Sequence, residues 1–207
     1  MNRTVELYPV WLRVWHGFNA VNFLLLLLSG VVLHFPEVML NVLSFSVARI
    51  LHNTCGVLMA LGYVFYLSAS YVSRNWRHYV PERQGFVPRM MTQIRFYAVG
   101  IFQKGEQPFP ATARAKFNPL QQVTYLGVMF GLVPVLVVTG VLFLFPEYAP
   151  DQILDRGGIW PLALLHQIVA TFLTAFLVGH IYLATAGKTV TEEFRKMAFG
   201  EKVRDDV

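Results

Sequence analysis

The chain has 207 residues, of which 55% are hydrophobic and only 14% charged, against about 25% charged in a typical soluble domain. That composition excludes an ordinary water-soluble fold. The net charge of +5 does not read as a nucleic-acid footprint, because the basic residues cluster in the segments between long apolar runs. Cys55 is the single cysteine, which excludes an internal disulfide, a Cys-x-x-Cys-His haem attachment and a cysteine-ligated iron–sulfur cluster.

In chain order, the stretch 1–13 carries Arg3 and Arg13 and leads into a first helix over about 14–35, uncharged from Phe18 to Leu33. About 20 apolar residues at a 1.5 Å rise cross the hydrocarbon layer, so this run is long enough to span a membrane. It exceeds the apolar stretch of a signal peptide, and no small-residue cleavage site follows, so it is expected to be retained. His-Phe-Pro-Glu at 34–37 ends it, since proline cannot continue the ladder and restricts the residue before it. A second helix is expected over about 48–71, with Arg49 its one charge.

The segment 72–120 is the one sizeable soluble stretch. Residues 88–103 mix apolar and basic positions and read as a short amphipathic helix on the membrane surface, broken by Gly105 to Pro110. A third helix over about 121–145 ends on Phe-Pro-Glu at 145–147, a short echo of the end of the first. A fourth is expected over about 161–185, followed by a basic tail.

Fifteen of the seventeen basic residues fall in 1–13, 72–120 and 187–207. The two other connections hold Arg49 and Arg156 beside Glu37, Glu147, Asp151 and Asp155. Basic segments mark the cytoplasmic side. Both termini and the long loop are therefore expected inside, which requires an even number of helices. Trp11, Trp15, Tyr71, Trp76, Tyr148 and Trp160 sit near run ends, where amphipathic rings suit the interface. The expectation is an all-α integral membrane protein, residues 1–207 forming one four-helix domain in which helix one neighbours two and three neighbours four.

Ionisable groups inside a membrane are functional candidates. His16 falls near the inner end of helix one and His52 near the outer end of helix two. His166 and His180 lie near the outer and inner ends of helix four. Fourteen residues are about 3.9 turns and about 21 Å of rise, so His166 and His180 share a side at different depths. One metal cannot take both, but two sites can: His16 with His180, and His52 with His166.

Two imidazoles without cysteine or carboxylate suit a low-spin haem better than zinc, which takes three or four protein ligands. The expected cofactors are two b haems. Gly17, Gly30, Gly56, Gly62, Gly127, Gly131, Gly140 and Gly179 offer clearance for a flat ring, although close helix packing also uses glycine. Arg13 and Arg49 are candidate partners for haem propionates, and Arg13 reads equally as a topology anchor. His34 and His78 read as interface residues, but His34 shares the outer depth and rivals His52. The competing readings are a histidine-lined transporter, which would place its site nearer the midplane, and a plain membrane anchor for a soluble enzyme.

Three stretches carry a family resemblance: Arg-Val-Trp-His-Gly-Phe-Asn-Ala at 13–20, Phe-Asn-Pro-Leu-Gln-Gln at 117–122, and the run from His166-Gln167 to Gly-His-Ile-Tyr-Leu-Ala ending at 184. The chain resembles, over nearly its whole length, the membrane cytochrome b subunits of respiratory formate dehydrogenase (gamma subunit) and thiosulfate reductase. Gly-Lys-Thr-Val-Thr-Glu-Glu-Phe at 187–194 is more similar to the thiosulfate reductase type. The resemblance implies an outer b haem on His52 and His166 and an inner one on His16 and His180.

The resemblance also implies a quinone site (menaquinone or ubiquinone) by the inner haem, at Asn118 and Gln121 and with Arg114 close by. Pro119 and Leu120 stand where formate dehydrogenase members have small residues. On their own, Asn118 and Gln121 read either as quinone-bonding amides or as a helix N-cap with Pro119 at the first helical position. The implied role is an electron-transfer subunit in the bacterial inner membrane. It would link the quinone pool to a periplasmic partner, an iron–sulfur/molybdenum enzyme, a hydrogenase or a multihaem cytochrome, in either direction.

Overall fold

The computed structural model describes residues 4–39, 43–103, 105–187 and 189–204. Arg3, Lys104 and Lys188, counted above among the inner basic residues, lie outside the described residues. Four helices are long and apolar enough to cross a membrane: α1 Val10–His34, α2 Phe45–Val72, α4 Pro119–Leu144 and α5 Ile159–Ala184. Among the described residues, the shorter helices α3 Phe86–Ala98 and α6 Glu192–Phe199 lie between and after them, beside a single turn at Pro36–Met39.

The helices begin earlier than the apolar runs, and at α1, α2 and α4 the early start has a local cause. α1 begins four residues before position 14 because Arg13 does not stop it. The guanidinium of Arg13 folds back to Glu6 at 2.9 Å and to the carbonyl of Ala198 at 3.0 Å. α2 begins directly after Ser44, whose Oγ lies 3.5 Å from the Val47 N–H, an N-cap position. α4 begins at Pro119 on a capping box. It also contains a π-helical turn over Val128–Leu132, just ahead of Pro134. Proline has no N–H for the ladder and its ring crowds the carbonyl four residues back.

Side-chain placement is inverted relative to a protein in water. On α1, Val14, Phe18, Val21, Leu24 and Leu28 are exposed along one face, while Asn22 and Ser29 are buried. Ser70 on α2 and Thr139 on α4 are buried likewise. Such apolar stripes need lipid against them, and inside Asn22, Ser29 and Thr139 bond backbone carbonyls, as a helix in lipid must satisfy its polar groups internally.

The chain divides into two compact units, one of Met1–Arg13, Ser68–Gly131 and Gly179–Val207, the other of Val14–Leu67 and Leu132–Val178. In the first, strand β1 Thr4–Glu6 pairs antiparallel with strand β4 Lys202–Arg204. The two tails therefore meet. Gly200 sits at φ 85°, and a Cβ there would stand 2.8 Å from Glu6 and 3.2 Å from Arg13. Only glycine lets the tail pass so close. Helix α6 is braced by Lys196, which pairs with Glu192, Glu193 and Glu201.

In the second unit, a hairpin of β2 Gln152–Ile153 and β3 Arg156–Gly157 fills the connection before α5. Its turn residues Leu154 and Asp155 take φ 51° and 57°, the left-handed pair that a two-residue hairpin turn demands. With no Asn-Gly or Asp-Gly at the turn, nothing in the local sequence announced this hairpin.

Candidate functional site

Three polar rungs join α1 to α2. Trp15 Nε1 donates to the Gly62 carbonyl at 2.8 Å, and Asn22 Nδ2 donates to the Cys55 carbonyl at 3.0 Å. Ser29 Oγ bonds His52 Nδ1 at 3.0 Å. Positions 15, 22 and 29 recur every seven residues, two helical turns, so one face of α1 presents all three. That face, read antiparallel along α2, sets where His52 points.

Ser29 Oγ also donates to the Leu25 carbonyl at 2.7 Å. A hydroxyl has one proton, so toward His52 its oxygen accepts and the ring carries its proton on Nδ1. The same construction recurs at α4 and α5. Thr139 Oγ1 donates to the Val135 carbonyl at 2.8 Å and accepts from His166 Nδ1 at 2.7 Å. In both rings the unprotonated nitrogen is then Nε2, the atom that binds a metal when the other ring nitrogen is held by a hydrogen bond.

The His52 and His166 rings lie 6.4 Å apart by centroid, inclined at 64°. Two metal–nitrogen bonds of about 2 Å plus roughly one ring radius on each side span about that distance. Glycines back both rings. A Cβ on Gly30 would sit 3.3 Å from His52 Cε1, and one on Gly140 would sit 3.6 Å from His166 Cε1. Among the described residues, no three His, Cys, Asp or Glu side chains gather to hold a metal ion. Two imidazole nitrogens without further protein ligands would suit an iron whose other positions a macrocycle fills.

The two halves of this site are written twice in the chain. Ser-Gly-Val at 29–31 precedes Phe-Pro-Glu at 35–37, and Thr-Gly-Val at 139–141 precedes Phe-Pro-Glu at 145–147, at equal spacing. The echo at the helix ends is therefore part of a longer repeat that also supplies the hydroxyl and the glycine behind each imidazole. In it, His34 aligns with Leu144. His34 itself is exposed and stacks edge-on against its neighbour Phe35. It is His52, not His34, that meets His166.

His16 is half-buried next to Trp15, whose ring stacks on the fully buried Tyr66 at 4.4 Å. His16 belongs to the second unit and His180 to the first. His180 contacts the Tyr125 ring at 6.3 Å, Tyr125 meets Phe117 at 5.0 Å, and Phe117 meets Tyr79 at 5.1 Å. Arg49 is exposed, and among the described residues no ion pair holds it.

The first unit also gathers a buried polar cluster. Asn118 Oδ1 accepts from the Gln121 N–H at 2.9 Å, and Gln121 Oε1 accepts from the Asn118 N–H at 3.1 Å. This reciprocal pair is a capping box. Asn118 Nδ2 donates to the Tyr97 hydroxyl on α3 at 2.8 Å. The N-cap role of Asn118 is thus realised. Burial pushes the Tyr97 phenol up, against the hydrogen bond from Asn118.

Gln122 Nε2 donates to the His78 carbonyl at 3.2 Å, and Lys116 Nζ donates to Asn75 Oδ1 at 3.0 Å. Burial pulls Lys116 down to about 8. Burial, and then Lys116, hold His78 down to about 4, despite a bond from its ring to the Arg114 backbone. The Arg114 side chain is exposed. His78 is thus a neutral, half-buried neighbour of the cluster rather than a simple interface residue.

Ser29, Thr139, Asn75, Tyr97 and the role of Lys116 escaped the sequence reading. For the first two a signal existed: a hydroxyl followed by glycine toward the end of the first and third apolar runs. For the others the partners are 21 to 41 residues apart, and no local pattern joins them.

Residues 7–200 match the family model described as "Prokaryotic cytochrome b561". The chain is also 41% identical over 196 residues to the Escherichia coli (strain K12) protein named "Putative cytochrome YdhU", a match covering 95% of this chain and 74% of that one. A match across almost the whole chain, on four apolar helices with paired intramembrane histidines, makes this a member of the prokaryotic cytochrome b561 family, a membrane protein carrying b-type haem.

Proposed function

We propose that the chain holds two b haems and carries electrons between a redox partner at its outer face and the quinone pool of the bacterial inner membrane. His52 and His166 ligate the outer haem, and His16 and His180 the inner one. When bound, each haem is a one-electron carrier tuned by its axial ligands and surroundings. The observation that carries this reading is the His52–His166 pair, each imidazole held by a hydroxyl in the tautomer that frees Nε2. Fourteen residues from His166 on α5, His180 supplies a second ligand about 21 Å along the same helix.

The quinone site is at the start of α4, on the inner side. There Asn118 shapes the helix end, and Gln121 offers Nε2, the amide nitrogen that the capping box leaves over. Arg114 and the basic segment 72–120 face the aqueous side from which protons come. Quinone reduction takes up two protons with two electrons, and quinol oxidation returns them, so this site can serve either direction. The outer partner is a periplasmic iron–sulfur/molybdenum subunit or a multihaem cytochrome. The likeness to formate dehydrogenase gamma and thiosulfate reductase subunits supports that assignment, with the 187–194 stretch favouring the latter.

Purified protein is expected to bind two b haems per chain with bis-histidine spectra. His166→Ala should remove one and His180→Ala the other. A preparation without haem, or one in which His166→Ala spares both, would refute the reading.

A further inference from the structure

Lys116 is nine-tenths buried, bonds Asn75 Oδ1, and among the described residues ion-pairs with no carboxylate. The glutamates that pair in this unit do so with Arg13, Arg89 and Lys196. A buried ammonium without a counter-charge is costly, and the depressed pKa of Lys116 reflects that cost. Its neighbour His78 is neutral and brings no negative charge. On the same Asn75 carboxamide, Nδ2 is buried and has no hydrogen-bond partner. Lys116 Nζ keeps protons beyond the one it gives to Asn75 Oδ1, and the Nδ2 of that same carboxamide has no acceptor at all. A carboxylate, with one negative charge over two oxygens, is the ligand that satisfies both.

The donor pair is linked to a histidine within the same unit. Phe117, next in the chain to Lys116, packs edge-on against Tyr125, which in turn meets His180. A b haem carries two propionate carboxylates at the rim of its ring. We propose that Lys116 and Asn75 bind a propionate of the haem that His180 ligates. This rests on the assignment of His180 as a haem ligand. Arg13, the cation that the sequence offers for that role, is engaged by Glu6 and Ala198.

The test is a redox titration of the haem lost in His180→Ala. A cation on the propionate favours the reduced haem. Lys116→Met should therefore lower that midpoint by at least a tenfold change in the redox equilibrium, about 59 mV for one electron, while the other haem is unmoved. Lys116→Arg should stay near the wild type. With haem whose propionates are methyl esters, Lys116→Met should have no further effect, because the contact is already gone.

An unchanged midpoint, or an equal shift with the esterified haem, overturns the proposal. If Lys116→Met does not fold, the wild-type chain should release esterified haem from this site at least tenfold faster than native haem. Equal retention overturns the proposal. Haem content unaffected by His180→Ala sinks the ligand assignment as well, whereas a His180-dependent haem indifferent to Lys116 sinks this proposal alone.

Discussion

His52 on α2 and His166 on α5 face each other at 6.4 Å, each with its Nδ1 proton given to a hydroxyl on the preceding long helix. Because the pair shares one site, the two histidines are interchangeable in their loss. His52→Ala and His166→Ala should each lower the haem-to-protein ratio from two to one, and the double variant should lose no more than either single. His34→Ala should keep both haems. A different spectral component lost in the two single variants would separate the pair.

The hydroxyls act through the histidines. Thr139→Val takes away the hydroxyl that the His166 ring bonds, and Ser29→Ala takes away the one that the His52 ring bonds, a loss of up to about 1–3 kcal/mol where a buried N–H is left unpaired. Removing such a supporting partner typically weakens metal binding by roughly 10–100-fold. Haem retention against a competing apo-acceptor should show that loss in both variants, while Thr139→Ser stays near the wild type. Retention unchanged by Ser29→Ala would show that helix packing alone orients His52.

Asn118 caps α4 and also holds Tyr97. Asn118→Ala should cost about 1 kcal/mol of stability from the lost cap, beside the lost bond to Tyr97, read as a lower thermal midpoint in detergent. Asn118→Ser restores the cap but not the reach to Tyr97, and should recover part of the loss. Full recovery would mean that the Tyr97 contact contributes nothing.

His78 supplies a pH dependence whose sign is determined. Its pKa is about 4 when folded against 6.5 when free, so the unfolded chain takes up the proton first. Stability from this group is complete above pH 6.5 and is lost as pH falls toward 4. Between pH 7 and 4.5 the wild-type thermal midpoint should fall more than that of His78→Gln. Parallel falls would place the acid sensitivity elsewhere.

Much of the fold was legible because membrane crossing imposes a length and a charge pattern on the sequence itself. The four apolar runs, with Arg49 the one charge among them, and the clustering of fifteen basic residues already describe four helices. The echo of Phe-Pro-Glu at 35–37 and 145–147 was visible, but its meaning was not. Only the contacts of Ser29 and Thr139 with His52 and His166 show that each copy ends half of a site.

By itself the sequence determined the four helices and the placing of His166 and His180 on one side of α5, since both follow from hydrophobicity and the 3.6-residue turn. Tertiary structure decided that His52 rather than His34 meets His166, that Arg13 serves the paired tails, and that Lys116 is a buried cation paired with no acid among the described residues. The reason is physical. Periodicity sets where a side chain stands on its own helix, while its partner depends on the register of a second helix or loop, and that register is set by bonds between residues distant in the chain.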